Sequence, residues 1–163
     1  MSEDFTHFNA EGRSRMVDVT HKKDTERMAV ARGKIRMKPE TLDKILKNQM
    51  KKGDVLSVAQ IGGIMGCKRT WELIPMCHNI LITGSDLKFM PDVEQSCIYI
   101  EAELKTTGKT GIEMEALTAV SVAALTIYDM CKAIDREMVI EDICLVKKTG
   151  GYSGIFVREE EAL

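Results

Sequence analysis

Aromatic side chains make up only 5% of these 163 residues, with one Trp, three Tyr and four Phe. They form no RNP-like cluster, so base stacking has little to work with. A dominant charge is missing too: the formal net charge is -2, which exerts no global attraction on nucleic acid. No run approaches the roughly 20 apolar residues of a membrane span. The start, MSEDFTHFNAEGRSRM, lacks the apolar core of a secretory signal. A cytoplasmic chain with no membrane and no nucleic-acid partner is expected. The five cysteines (Cys67, Cys77, Cys97, Cys131, Cys144) are odd in number and include no CxxC pair. That argues against a disulfide framework or a zinc knuckle and for reduced thiols. Neither His7 nor His21 lies at ligand spacing to His78. The GxxxxGK[ST] loop and the dinucleotide fingerprint are both absent. No metal and no cofactor are expected.

What is present suits one domain. Hydrophobic content of 44% and charged content of 29% are ordinary for a globular protein, and a chain of this length buries about 68–70% of its unfolded surface. Residues 1–15 are polar and aperiodic and are expected to be flexible. Residues 16–158 are expected to form a single catalytic domain, with an acidic tail at 159–163. Over 27–37, alternation puts Ala29, Ala31, Gly33, Ile35 and Met37 on one face and Arg32, Lys34 and Arg36 on the other, a half-buried strand. Pro39 opens a helix predicted over 40–50. Asp54 is a candidate N-cap for a second helix over 55–73. Its small residues Ala59, Gly62, Gly63 and Gly66 would admit another backbone closely. Strands are predicted over 80–90 and 96–105, then a long helix occupying most of 105–138, then a strand over 139–146. The order β-α-α-β-β-α-β predicts an α+β fold, a ferredoxin-like split βαβ sandwich with helices on one face of an antiparallel sheet.

Several constellations could carry chemistry. His78 follows Cys77 behind Pro75, and an imidazole titrating near pH 6.5 suits a proton shuttle or a phosphate ligand; a lone histidine bonded in a turn is the plainer account. Asp129 and Lys132 are three apart and so neighbours on one helix face. They are either a surface ion pair of little worth or an acid–base pair at the mouth of a cleft. In KKTGGYSG, glycine backbone could aim N–H groups at an anion that Lys147 or Lys148 neutralises, or the segment is an ordinary turn. Lys51-Lys52 and Lys68-Arg69 are further basic pairs. Singly they read as solvated; with the loop they would suit a polyphosphate.

In order and spacing, THFNAEGRSRMVDV, KRTWELIPMCHN, KTGIEMEALTAVSVAALTIYDMCKA and KKTGGYSG resemble the motifs of the molybdenum cofactor biosynthesis protein C family, over about residues 5–156. The resemblance implies a lyase, assembled as a homohexamer of three dimers. It would convert 3′,8-cyclo-7,8-dihydroguanosine 5′-triphosphate into cyclic pyranopterin monophosphate with release of diphosphate. The family's catalytic Asp and Lys fall on Asp129 and Lys132. Its substrate-contacting residues fall on Met76, Cys77, His78, Met114 and Glu115, with Glu113 adjoining, and its basic residues around the triphosphate fall on Arg27, Lys52 and Lys148. Two positions depart from the pattern: Asn79 stands where the family usually has Pro, and Tyr152 where its terminal loop has Lys.

Spacing adds a constraint of its own. On one continuous helix Glu115 and Asp129, fourteen residues apart, lie about 21 Å from each other along the axis. A single chain would struggle to set both on one nucleotide-sized ligand, so sites shared between protomers are expected. The alternatives are a non-catalytic nucleotide- or RNA-binding ferredoxin-like module, or a cyclohydrolase holding a metal at Cys77 and His78.

Overall fold

The structure, a computed structural model, describes residue 9 and residues 11–159. Most of the segment expected to be flexible and all but Glu159 of the expected tail lie outside the described residues. The alternating stretch forms β1 (Thr25–Arg36), with Ala29, Ala31 and Ile35 fully buried on its inner face. It pairs antiparallel along its whole length with β3 (Cys97–Gly108), from Thr25↔Gly108 to Arg36↔Cys97. Strand β2 (Ile82–Asp92) flanks β3, β4 (Val139–Thr149) flanks β1, and the short β5 (Phe156–Val157) flanks β4. The sheet order is therefore β2-β3-β1-β4-β5, antiparallel throughout. This is the expected α+β split βαβ arrangement, extended by one edge strand.

Helices α1 (Pro39–Leu46), α2 (Val55–Lys68), α3 (Thr70–Leu73) and α4 (Glu113–Cys131) complete it. Ala116, Ala119, Val120, Ala123, Ala124 and Ile127 of α4 lie buried on the inner face of β1, β3 and β4. On the sheet side Ile98, Ile100, Ala102 and Leu104 meet them. Each large aliphatic side chain removed from water this way contributes about 1.5–3 kcal/mol. Asp54 caps α2 as expected, its carboxylate accepting from Ser57 N–H. The glycines of α2 lie against α4: a Cβ on Gly62 would meet Thr126, one on Gly66 would meet Val122, and one on Gly63 would meet Leu87 and the Ala119 carbonyl. The outer sheet face carries Arg32 on Glu101 at 2.8 Å and Lys34 on Asp142 at 2.9 Å, pairs worth little each.

Several boundaries move. Lys105 lies on β3 and Lys109 in the connection after it, so α4 begins only at Glu113. Asp135 and Arg136 lie past its end. The predicted 55–73 helix breaks at Arg69, and the 40–50 helix stops at Leu46, before Asn48 with φ 52. Lys147 and Lys148 extend β4 instead of sitting in a loop, because they pair with Val30 and Ala29. Helix α4 is long and apolar enough to cross a membrane by length and composition alone, a test that a buried core helix also passes. Half of that stretch is buried within this chain, 50% by residue.

One buried carboxylate ties the layers together. Asp135, 1% exposed, accepts from Lys38 N–H at 2.8 Å, Thr41 Oγ1 at 3.2 Å and Glu137 N–H at 3.1 Å. The turn after α4 is thereby pinned to the first residues of α1.

Candidate active site at the two ends of one helix

At the C-terminal end of α4 the Asp129 carboxylate accepts from Lys132 Nζ at 2.6 Å and from Lys52 Nζ at 3.2 Å. Lys52 also donates to the Asp129 carbonyl at 3.0 Å, one of the last-turn acceptors that a helix leaves unpaired. The charged break between α1 and α2 delivers Lys52, turning at Gly53 with φ 96. Hydrogen bonds from Lys132 and then Lys52 hold Asp129 below the ordinary carboxylate range. It is therefore an anion at neutral pH, fit to accept a proton or to orient an ammonium. All three side chains are about half exposed, at 49% for Lys52, 58% for Asp129 and 53% for Lys132. A concavity at Arg36–Pro39 with Ser96 and another between α1 and α2 are lined by none of the three.

The other candidates gather at the N-terminal end of α4. Helix α2 runs antiparallel to α4, since Gly62 meets Thr126 while Gly66 meets Val122. Its end therefore returns Met76, Cys77 and His78 toward the first turn of α4. The His78 Nε2 lies 2.8 Å from the Val17 carbonyl. A carbonyl only accepts, so Nε2 carries the hydrogen. Lys109 Nζ reaches the Thr20 carbonyl at 2.9 Å, so segment 17–20 is held against this end at two points. Neither contact carries a sequence signal, because both are made to backbone carbonyls.

Lys148 reaches Glu113 at 3.1 Å and Ser153 Oγ at 2.7 Å. Arg27 donates to the Gly108 carbonyl at 2.9 Å and the Lys109 carbonyl at 3.1 Å. Gly150 and Gly151, with φ 91 and 76, pass so close to Arg27 and Glu26 that a Cβ on either would overlap them. Only glycine takes both that conformation and that approach.

Glu115 is the unusual member. It is 3% exposed, and its Oε2 is buried with no hydrogen-bond partner among the described residues. Burial pushes its carboxyl up to about 7, against the pull of its own backbone N–H and with a smaller push from Glu113. Cys77 is also pushed up, by burial first and then by Glu115, so its thiol stays protonated. Among the described residues no group of three or more His, Cys, Asp or Glu could hold a metal ion.

The structure thus brings Arg27, Glu113, Glu115 and Lys148 to one end with the 76–78 segment, and Met114 to the same helical turn. It brings Lys52, Asp129 and Lys132 together at the other. Within one chain it does not join Lys52 to Arg27 and Lys148, which the resemblance grouped around one triphosphate. The burial of Glu115 had a signal in the sequence. It stands four and eight residues before Ala119 and Ala123, on the helix face that packs inward.

The MoaC family model matches residues 16–151. A protein of Clostridium acetobutylicum named cyclic pyranopterin monophosphate synthase is 66% identical over 158 residues, 97% of this chain and 98% of its own length. Proteins of the same name from Thermoanaerobacter sp. strain X514 and Brevibacillus brevis are 64% and 56% identical. These alignments cover 94% and 99% of this chain and 98% and 100% of the relatives.

Proposed function

The chain belongs to the MoaC family, and on that premise we propose that it is a cyclic pyranopterin monophosphate synthase acting in the cytoplasm. Its substrate is 3′,8-cyclo-7,8-dihydroguanosine 5′-triphosphate, and its products are cyclic pyranopterin monophosphate and diphosphate. The observation that carries the reading is Asp129, held as an anion between two ammonium groups. Rebuilding a purine-derived ring as a pterin requires protons to move to and from nitrogen and oxygen. Asp129 is the acceptor for that exchange, and Lys132 the donor beside it. Closing a cyclic phosphate while diphosphate departs places negative charge on oxygens that Lys52, His78, Arg27 and Lys148 are chemically suited to offset.

One site takes both clusters only if two chains build it. Met114, Thr118, Ser121, Leu125, Asp129 and Lys132 follow one another at steps of three or four residues along α4, a single face of the helix. On that face Leu125 is 58% exposed, and Val58 and Ile61 of α2 are exposed by 42% and 63%. A second chain laid antiparallel along it would set its Met114–Glu115 end near the first chain's Asp129–Lys132 end. Six chains, as three such dimers, complete the assembly.

The test is incubation of the purified protein with the cyclic dihydroguanosine triphosphate, assaying diphosphate and, after oxidation, pterin fluorescence. Product is expected from the wild type and is lost in folded D129N and K132A. Product formation unchanged in both variants would remove Asp129 and Lys132 from the mechanism.

A further inference from the structure

We propose that Glu115 works in its neutral, protonated form, as a hydrogen-bond donor to an acceptor atom on the substrate's ring system. This rests on the reading above, in which the substrate's ring lies against the first turn of α4.

The Glu113 and Glu115 carboxyls share a helical turn and have opposite surroundings. Glu113 is partly open to solvent and has an ammonium at 3.1 Å, from Lys148. Glu115 is 3% exposed, and among the described residues its Oε2 has neither a donor to stabilise a charge nor an acceptor for a hydrogen. Among the described residues, the titratable groups facing it from other elements are the Cys67 thiol from α2 and the Cys77 thiol beyond α3, both raised by burial and so uncharged at neutral pH. On its own helix the neighbour is Glu113, whose charge opposes a second anion. The backbone N–H groups at the start of α4 favour ionisation, and the desolvation outweighs them, leaving a carboxyl that titrates at about 7.

A structural role explains Glu115 poorly. The face it shares with Ala116, Ala119 and Ala123 is apolar and fully buried, and a leucine or methionine there would leave no unmet oxygen. A buried polar atom without a partner calls for an explanation. A ligand atom that accepts its hydrogen supplies one. The Cys77–His78 segment and Lys148 border the same turn, so such a ligand would meet a neutral donor from Glu115 and positive charge from Lys148.

Two measurements on the full-length protein decide it. In infrared spectra across pH, the wild type is expected to show a protonated-carboxyl band that persists at about pH 6 and titrates out near 7, far above free glutamic acid at about 4.3. E115Q is expected to lack it, and E113Q to keep it. In steady-state kinetics, wild-type kcat/KM should fall about tenfold per pH unit above that midpoint, as one essential proton is lost. In E115Q, whose amide still donates, this alkaline limb should disappear, with a loss of less than about tenfold at pH 6; E115M, with no donor, should lose about a hundredfold. Wild-type spectra with only ionised carboxylate at pH 6, or an E115Q profile that keeps the alkaline limb, would overturn the proposal. The infrared arm needs no substrate. If the wild type formed no product, the proposed function and the donor role would fall together, while the band would still decide the protonation state.

Discussion

Asp129, Glu115 and Asp135 carry the same functional group into three different surroundings, and their behaviour follows from what surrounds each. Asp129 is exposed, and exposed ion pairs contribute little to stability. D129N should therefore melt within a few degrees of wild type while losing about 10²–10⁴-fold in turnover; calorimetry alongside the product assay checks both. Glu115 is buried with its carboxyl raised from 4.5 to about 7. The fold favours its neutral form, so its contribution is fully present below the ordinary glutamate range and is lost as pH rises through about 7. The loss amounts to roughly 3 kcal/mol. Urea titrations at pH 5 and pH 8.5 should show this decline in the wild type, and E115Q should flatten it. Asp135 has the opposite sign. Burial pushes it up, and its bonds from Lys38, Glu137 and Thr41 outweigh that and hold it below the ordinary range. Its contribution is kept at neutral pH and lost only in strong acid.

Among elements, the α2–α4 contact is the least tolerant. A Cβ on Gly63 would come 2.9 Å from the Ala119 carbonyl, which belongs to helix backbone and has little room to retreat. G63A should destabilise by about 1–3 kcal/mol, despite the gain in helix propensity of roughly 1 kcal/mol. G84A is the contrast, since a Cβ there meets only Lys105 Cβ at 3.8 Å, and its unfolding midpoint should stay close to wild type. This contact was legible in the sequence, because four small residues within one helix are a local signal of close approach. So was β1, whose period of two places every second residue inside. The termini of α4 and β4 were not. Thr106 and Thr107 extend β3 because β1 lies opposite, and Lys147 and Lys148 extend β4 for the same reason. Pairing partners far along the chain decide such ends, and no local pattern reports them.

At the scale of the whole molecule, the spacing of Glu115 and Asp129 on one helix was legible in the sequence, and the unbroken 19-residue α4 keeps them apart within one chain. The backbone contacts at Val17 and Thr20 stayed hidden, because any residue can offer a carbonyl. If two chains share each site, D129N and E115M chains mixed and reassembled should regain activity that neither has alone. For random mixed dimers with two sites each, about a quarter of all sites would be intact, since each mutant fills its position at half the sites. Failure to regain any activity, with mixed oligomers verified by mass, would refute site sharing.

The clamp at Asp135 also has a kinetic signature. Amides in the first turn of a helix ordinarily have no partner and trade their hydrogens with solvent quickly. Lys38 N–H, just before α1, is bound to a carboxylate that is 1% exposed and anchored beyond α4. Its deuterium uptake should therefore be slow, and should keep pace with that of Glu137, whose N–H is held by the same carboxylate. A residue at the start of an edge helix would then report the opening of a turn almost a hundred positions away.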